Sequence, residues 1–205
     1  MPMAGQRQHD RIDFVDRAMH SFWAKGYEGT SIADLVAATG VNRGSIYAGF
    51  SGKRDLFLAS LDRYDDIHRR RFLDRLSAAG DPLAAIGAAF RAAAGTAPAT
   101  PPEARGDEGV PDPDGCLLVN TAIEMAPHDA EVAAFVSASL AGVEAFFRGR
   151  LEAAAAAGRL RGGTDIAGTA AALLALFLGL RVLARSGADK AVRAAVVARA
   201  GAMLE

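Results

Sequence analysis

The sequence has few of the features that mark secreted or membrane proteins. Its single cysteine, Cys116, cannot form an internal disulfide. Its first residues lack the charged and then apolar order of a signal peptide, so we expect a location in a bacterial-type cytoplasm. The longest apolar run, residues 166–180, contains two glycines and is shorter than the roughly 20 residues that a bilayer span requires. We therefore expect a buried helix there and no membrane partner.

Strand signals are also scarce. Hydrophobic residues make up 51% of the 205 residues, and apolar positions recur at helical spacing along the chain. We predict an all-α protein with an N-terminal three-helix domain, residues 1–57, and a larger C-terminal helical domain, residues 58–205. Residues 1–6 are expected to be a disordered tail, with the first helix spanning about residues 7–25. A chain of this length can bury one sizeable core and a small satellite domain.

The charge balance lacks the basic excess that is typical of nucleic-acid-binding proteins. The 23 basic and 24 acidic residues give a formal net charge of -1. Contact with nucleic acid would therefore depend on local charge and on helix N-termini, which present backbone donors to phosphates. We expect modest affinity and a moderate salt dependence for any such contact.

Strong catalytic and metal-binding motifs are absent as well. Cys116, Glu124, His128 and Asp129 have the chemistry of metal ligands, but no pair shows the tight C-x-x-C or H-x-x-x-H spacing. No phosphate-cradling glycine loop occurs. We predict no metal, no cofactor and no enzymatic activity. An all-α enzyme that depends on Cys116, Glu124 or His128 is one alternative, and redox sensing by Cys116 stays open.

Residues 31–50 contain the strongest pattern in the chain. Ser31 followed by Asp34 resembles a capping box and predicts a helix start. Apolar residues then follow at the i, i+3, i+4 spacing of one helical face, and Gly40 can take the positive φ of a tight turn. Asn42 can cap a second short helix directly afterwards.

The second short helix has distinct inner and outer faces. Ile46 and Phe50 are expected to point inward, and the outer face carries Arg43, Gly44, Ser45 and Tyr47. Two short helices across a glycine-containing turn form a helix-turn-helix, whose second helix fits the DNA major groove. An ordinary helical hairpin inside an α-helical core would show the same spacing.

The flanking residues distinguish these two interpretations. From about residue 11 to residue 57, the sequence resembles the TetR family of bacterial transcriptional regulators. The resemblance rests on Ala18, Phe22, Gly26, Tyr27, Thr30, Ser31, Ala33, Gly40, Val41, Ile46, Tyr47, Phe50, Lys53 and Leu56. Ala48 and Gly49 stand where the family usually has an aromatic residue and a histidine. This departure concerns two base or phosphate contacts and leaves the expected fold unchanged.

The helix-turn-helix and the resemblance together predict a sequence-specific, DNA-binding transcriptional regulator. We expect a repressor that binds a palindromic site in double-stranded DNA, with Arg43 reading a base edge, guanine. The predicted DNA-binding residues are Arg43, Ser45 and Asn42 for base edges, Thr30, Tyr47 and Lys53 for phosphates, and Ser31 and Gly44 beside them. The alternative function is a helical ligand-binding or scaffold protein without DNA binding, for which Arg43→Ala would change nothing.

A longer helix is expected from Gly52 to about Phe72. It would act as a lever, because its first turn carries Lys53 and its far end reaches the second domain. The basic run at residues 68–71 lies near that end. Such runs are usually solvated and paired with nearby carboxylates, here Asp65, Asp66 or Asp74.

The second half resumes helical periodicity after an interruption. Prolines and acidic residues predict a mobile loop over residues 96–114. Residues 115–124 resemble a segment of one branch of TetR-family C-terminal domains, and the family has a small-molecule effector pocket among the equivalent helices. Candidate pocket residues are Phe90, Leu117, Leu118, Thr121, Met125, Phe135 and Phe147 as walls, with Cys116, Asn120 and Glu124 as polar anchors. Each of them could instead be an ordinary core residue.

The last two predicted helices, about residues 165–185 and 189–204, carry a stripe of small residues. Gly168, Ala172, Ala175 and Gly179 recur at steps of three and four, which lets another helix approach closely. A helix that is apolar on most sides would leave part of that surface exposed in a monomer. We predict a homodimer through residues 165–204, packed as a four-helix bundle. A central helix fully buried in a monomer is the alternative.

Overall fold

The structure is a computed structural model that describes residues 4–78, 80–96 and 112–205, with the backbone alone for residues 4–10. Every regular element within these ranges is a helix, which confirms the predicted all-α class. Most of the predicted mobile loop, at residues 97–111, lies outside the described residues. So do residues 1–3 of the predicted tail, and the first helix begins at Ala4 rather than at Arg7.

The N-terminal part consists of four helices packed around one apolar centre. The helices are α1 Ala4–Lys25, α2 Ile32–Thr39, α3 Arg43–Gly49 and α4 Lys53–Tyr64. The longest of them, α1, packs chiefly on α4, while α2 and α3 lie across one end of the pair. The side chains of Phe22, Leu35, Ile46 and Phe57 meet in this centre and are almost fully buried. Helices α2 and α3 are therefore held by their inner faces only.

The predicted lever helix contains a widened turn. A π-helical segment, Asp65–Arg70, separates α4 from α5, which spans Arg71–Ala78. Asp65 is buried, and its carboxylate accepts hydrogen bonds from both Arg69 and Arg70. This double pairing accompanies a turn in which hydrogen bonds run between residues five apart. The expectation of one uninterrupted helix is corrected accordingly.

The side chains of the basic run at residues 68–71 have two different environments. Its arginines pair with carboxylates as predicted, for example Arg71 with Asp66 at 2.7 Å. His68 does not belong to a solvated face, because the π-helical segment turns its ring inward. The ring centroid of His68 lies 4.9 Å from that of Trp23 and 4.9 Å from that of Tyr64.

The C-terminal part contains five further helices in the described residues. They are α6 Pro82–Ala93, α7 Leu117–Glu124, α8 Ala130–Ala156, α9 Ile166–Arg185 and α10 Lys190–Ala202. Four of them begin at an aspartate whose carboxylate accepts a hydrogen bond from a backbone N–H of the first turn: Asp81, Asp129, Asp165 and Asp189. These N-caps explain why the helices begin where they do.

The buried apolar residues form two clusters that do not coincide with the two predicted domains. One cluster joins the N-terminal helices to residues of α7 and the start of α8, such as Leu117 and Val132. The other lies among α5, α6, α8 and α9 and is centred on Phe90, Phe147 and Phe177. The division at residue 57 falls within α4, where the helix has no break, and stays a prediction.

Two helices, α8 and α9, are long and apolar enough to cross a membrane by length and composition alone. Each of them packs one face into the protein. In α9, Leu173, Phe177 and Leu180 are buried, whereas Ala175 and Gly179 on the other side are exposed. The alternative of a helix fully buried within one protomer is therefore wrong, because a whole face of α9 is uncovered.

Burial lowers the pKa of His68 from 6.5 to about 4, although the Asp112 carboxylate 3.8 Å away acts in the opposite direction. His20 also faces Asp112, at 3.4 Å, and that hydrogen bond raises the pKa of His20. The two imidazoles thus respond to acid with opposite signs, since one is held neutral and the other is stabilised in its charged form.

Acid should therefore destabilise the protein through His68. Between pH 6.5 and about 4 the unfolded chain protonates this histidine while the folded protein does not, so the free energy of unfolding falls as pH falls, by up to about 3 kcal/mol. Urea denaturation across this range measures the slope. His68→Leu should flatten it, because the variant has no imidazole that the fold keeps neutral. Equal slopes in wild type and His68→Leu would contradict this assignment.

Candidate nucleic-acid interface

The first helix of the helix-turn-helix begins with the predicted capping box. The Ser31 side chain accepts a hydrogen bond from the backbone N–H of Asp34 at 3.1 Å, and the Asp34 carboxylate accepts one from the N–H of Ser31 at 2.9 Å. The helix ends at Gly40, whose φ of 70° lies in the left-handed region and whose N–H donates to Val36 O. Sequence and structure agree fully on this helix.

The second helix, α3, is anchored on one side and open on the other. Asn42 caps it, since its side-chain oxygen accepts a hydrogen bond from the N–H of Ser45 at 2.9 Å. Ile46 is fully buried and Phe50 nearly so. The outward residues Asn42, Arg43, Gly44, Ser45 and Tyr47 are all exposed, as predicted. A major groove could therefore receive this face without any rearrangement of the core.

Arg43 and Tyr47 lie one helical turn apart on the open face. The guanidinium carbon of Arg43 is 5.5 Å from the centre of the Tyr47 ring, a distance at which a cation and an aromatic face attract. Tyr47 is 45% exposed although it is a large side chain. The pair thus presents a cation and a phenol hydroxyl at one position on the surface.

Lys53 is held at the start of α4, where no side chain caps the helix. Its ammonium nitrogen donates a hydrogen bond to Tyr27 O at 3.0 Å and lies 4.2 Å from the centre of the Tyr27 ring. An ammonium group has three donors, so this contact leaves capacity for a phosphate oxygen. Sequence reasoning missed the role of Tyr27, because two residues 26 positions apart share no spacing signal.

Ion pairs decide which cations near the helix-turn-helix keep a free charge. Lys25 pairs with Asp34, and Arg54 pairs with Asp129 at 2.8 Å. That hydrogen-bonded pair holds the pKa of Asp129 at about 2. Among the described residues, the cations of this region without a carboxylate partner are Arg11, Arg43 and Lys53. Positive charge is therefore concentrated around α3 in a chain whose net charge is -1.

One predicted phosphate contact is wrong. Thr30 is fully buried, and its hydroxyl donates a hydrogen bond to Gly26 O at 2.7 Å. The side chain fixes the loop between α1 and α2 and cannot reach a phosphate. The role of Thr30 is to position Ser31, which follows it on the surface and caps α2. The resemblance to the family did not distinguish these two roles.

The predicted effector-pocket residues fall into two apolar clusters. Phe90 and Phe147 pack in the cluster of the C-terminal helices, with 5.8 Å between their ring centroids. The others lie in or beside the cluster shared with the N-terminal helices: Cys116, Leu117, Leu118, Asn120, Thr121, Glu124, Met125 and Phe135.

The predicted polar anchors of that pocket bond to the protein itself. Cys116 accepts a hydrogen bond from the Tyr64 hydroxyl at 3.3 Å. The hydroxyl of Thr121, a predicted wall of the pocket, likewise donates to Leu117 O at 2.8 Å. Asn120 donates to Trp23 O at 3.5 Å. The two carboxylate oxygens of Glu124 accept hydrogen bonds from two backbone N–H groups of the loop after α1. These contacts join residues about 97 positions apart in the chain.

The residues weighed as metal ligands are also separated. Asp129 caps α8 and pairs with Arg54, while Cys116 bonds to Tyr64. Within the described ranges, no three His, Cys, Asp or Glu side chains are grouped so that they could hold a metal ion. The clefts that the surface does show lie elsewhere. One of about 480 Å³ runs between α1 and α4 and includes Arg11 and Arg63.

Two glycines of the helix-turn-helix should respond differently to alanine. Gly40 has a φ of 70°, so Gly40→Ala should cost about 1–3 kcal/mol through backbone strain although space for a Cβ is open. Gly49 has the same open space but ordinary helical geometry, and Gly49→Ala should stabilise by about 0.5–1 kcal/mol. Chemical denaturation of both variants measures the difference. Equal effects would show that Gly40 does not need its left-handed conformation.

Comparison with known proteins extends these observations beyond the helix-turn-helix. A model of the bacterial regulatory proteins of the tetR family matches residues 14–60, and a model of the tetracyclin repressor-like C-terminal domain matches residues 106–199. The chain is 33% identical over 192 residues to the uncharacterized HTH-type transcriptional regulator YezE of Bacillus subtilis (strain 168), covering 91% of this chain and 92% of YezE. It is 32% identical over 188 residues to the HTH-type transcriptional repressor ComR of Escherichia coli (strain K12), covering 88% and 81%.

Solved structures agree with these sequence matches. A cysteine mutant of the TetR family regulator CifR, solved with 26-base-pair operator DNA, is 30% identical with a TM-score of 0.77, and the match covers 98% of each chain. A TetR transcriptional regulator from Chloroflexus aurantiacus J-10-FL is 27% identical with a TM-score of 0.79, covering 97% of this chain and 95% of the other. Matches of this extent, together with the capped and outward-facing α3, show that the chain belongs to the TetR family of helix-turn-helix transcriptional regulators.

Proposed function

We propose that the protein is a cytoplasmic repressor that binds a palindromic operator as a homodimer and releases it when a small molecule binds the C-terminal domain. The observation that carries the DNA half of this proposal is the open face of α3. That face is exposed, capped by Asn42 and surrounded by cations without carboxylate partners in the described part of the chain. Repression is the sense that the name of ComR supports.

Base reading and phosphate binding fall to different residues. Arg43 reaches a guanine edge from the first turn of α3, where Asn42 and Ser45 are also exposed. Lys53, anchored on Tyr27, binds a phosphate and sets the register of the helix on the duplex. Arg11 and Lys53 supply four cations per dimer for phosphate contacts, so the logarithm of the operator association constant should fall with the logarithm of salt concentration with a slope of about -4.

The uncovered face of α9 supports the homodimer. On α9, Ala175 and Gly179 are exposed and the large apolar side chain of Val182 is 45% exposed. Val192 on the neighbouring α10 is 48% exposed. Two copies related by a two-fold axis would cover these faces with one another. The two recognition helices should then lie about one helical turn of DNA apart, near 34–36 Å, and enter successive major grooves.

The effector acts through the contact between the N-terminal and the C-terminal parts of each protomer. A small molecule shifts the protein towards a conformer with the wrong helix spacing only to the extent that it binds that conformer more tightly. The shared apolar cluster gives the two parts a common boundary, so a movement of α7 or α8 alters the support of α1 and α4. Contacts of this kind couple effector binding in the C-terminal part to the position of the helix-turn-helix, and release of the operator requires that coupling.

Replacing Arg43 should separate specific from general DNA binding. Arg43→Ala should weaken operator binding by about 1–3 kcal/mol per half-site and relax the base preference, because the guanidinium no longer reaches a base edge. Selection from a randomised duplex pool at two salt concentrations, with wild type and Arg148→Ala alongside, provides the measurement. Arg148 is an exposed control that pairs with Glu144 on α8. Enrichment of one palindrome by all three proteins would contradict the assigned role, and no enrichment by wild type would favour a scaffold without DNA binding.

Charge introduced on the uncovered face of α9 should separate the dimer. Gly179→Arg places a cation where no atom lies within 4 Å of the new Cβ, so each protomer should keep its fold while two such faces repel. Light scattering after gel filtration should report a dimer for wild type and a monomer for the variant. Ala153→Arg, at an exposed position of α8, is the control that should remain dimeric. A dimeric Gly179→Arg protein would place the dimer interface elsewhere.

A further inference from the structure

The end of α1 is bound by side chains that belong to the C-terminal part of the chain. Helix C-termini leave backbone carbonyls without partners inside the helix. Here the Arg185 guanidinium donates to Trp23 O at 3.0 Å and to Ala24 O at 2.6 Å. A cation at this position also favours the negative end of the helix dipole. Arg185 is the last residue of α9, so two distant helix ends meet at one guanidinium.

The loop directly after α1 is bound by a carboxylate from another helix. The two oxygens of Glu124 accept hydrogen bonds from the backbone N–H groups of Tyr27 at 2.9 Å and Glu28 at 2.8 Å. Glu124 is the last residue of α7. Hydrogen bonds to an ionised acceptor are about twice as strong as neutral ones, so this contact is a firm one. We call Glu124 and Arg185, with the backbone of residues 23–28 between them, the α1 clamp.

Glycine is required on both sides of the α1 clamp. Gly26 has a φ of +81°, and a Cβ on it would lie 2.8 Å from a carboxylate oxygen of Glu124. Gly115 has a φ of +91°, and a Cβ there would lie 2.9 Å from the Cβ of Arg185. At both positions the backbone is left-handed and an atom of another side chain lies close to the glycine. Each of these two conditions by itself disfavours a residue with a side chain. The backbone is thus shaped to admit the two charged side chains.

The loop held by the α1 clamp also holds the DNA-facing lysine. The N–H of Tyr27 donates to Glu124, while the carbonyl oxygen of the same residue accepts from Lys53. The Tyr27 ring lies under the Lys53 ammonium and packs against Phe57 with 4.9 Å between the ring centroids. One residue therefore connects the end of α7 to the first turn of α4.

We propose that the α1 clamp is a coupling device, by which α7 and α9 set the orientation of the helix-turn-helix independently of the α4 lever. Glu124 and Arg185 are positioning residues in this scheme, and neither is required to touch DNA. The regulatory part of the inference rests on the proposed function. Because α9 also carries the proposed dimer face, a change in how two protomers pack reaches the end of α1 through Arg185.

A structural role alone makes a different prediction. Other contacts also cross between the two parts, such as the exposed pairing of Arg54 with Asp129 and Glu131. Exposed pairs of this kind contribute little to stability. A clamp that only stabilised the fold would change the unfolding transition of the whole protein and would leave operator binding by the folded protein unchanged.

The decisive variant is Glu124→Gln in the full chain. Glutamine has the same shape, but it presents one oxygen and one NH₂ group to two N–H donors, so one backbone amide faces another donor. Glu144→Gln is the matched control, since it removes the same charge from a carboxylate that pairs within α8. Hydrogen exchange read by mass spectrometry should show residues 27 and 28 exchanging at least tenfold faster in Glu124→Gln only. The faster exchange should extend through α2 and α3, which the substitution does not touch.

Operator binding provides the second measurement. With the duplex selected by the wild-type protein, Glu124→Gln should bind about tenfold more weakly, because a smaller fraction of molecules holds the competent orientation. Its base preference should match that of wild type, which separates it from Arg43→Ala. Arg185→Lys is a milder second variant, since an ammonium cannot replace the fork of a guanidinium on two carbonyls. Arg185→Lys tests the same proposal if Glu124→Gln does not fold.

The outcomes separate the clamp from the proposed function. Unchanged exchange in α2 and α3 overturns the clamp, and so does operator affinity equal to wild type in a folded Glu124→Gln protein. If the wild-type protein selects no duplex, the proposed function fails while the exchange comparison still decides whether the C-terminal part positions the helix-turn-helix. Faster exchange together with weaker operator binding and unchanged base preference supports both.

Discussion

The packing of Phe22, Tyr27 and Phe57 is the interaction on which the DNA-facing surface depends. The ring of Phe57 lies 5.0 Å from Phe22 and 4.9 Å from Tyr27, centroid to centroid, and edge-to-face contacts of this kind fix both distance and angle. They place α1 on α4 and lock the loop that follows α1. Because that loop precedes Ser31 and holds Lys53, its position determines where α2 starts and where the Lys53 ammonium lies.

Local pairing explains how a protein with a net charge of -1 can present a cationic face. Most cations beside the helix-turn-helix are neutralised by carboxylates, often from another helix, as Arg63 is by Asp16 at 2.7 Å. Those around α3 are instead packed over aromatic rings, as Arg11 is over Phe50 and Arg43 over Tyr47. An aromatic face holds a cation in place without cancelling its charge, so the field near α3 is stronger than the overall composition indicates.

The π-helical segment and the α1 clamp both contact Trp23. The π-helical segment turns His68 towards Trp23, while Arg185 of the α1 clamp donates a hydrogen bond to the carbonyl oxygen of that tryptophan. Trp23 is therefore enclosed by residues from α4, α7 and α9 and is only 3% exposed. The boundary between the DNA-facing helices and the remaining helices at this residue is therefore both packed and hydrogen-bonded.

The sequence by itself determined the features that depend on neighbours within one helical turn. Caps at Ser31, Asn42, Asp81 and Asp129, the turn at Gly40 and the outward face of α3 all follow from interactions between residues at most four apart. Only the tertiary structure decided whether the side chains of Thr30, His68 and Glu124 lie at the surface or in the interior. Each has a side chain that suits either a surface or an interior. The packing of distant helices settles the partners of His68 and Glu124, as when Glu124 meets the N–H of Tyr27, 97 positions earlier. Thr30 bonds to Gly26 O only four residues away, but its full burial depends on how the helices pack around that loop. Sequence spacing carries no record of such contacts, because it reports periodicity along one helix and not which helices become neighbours.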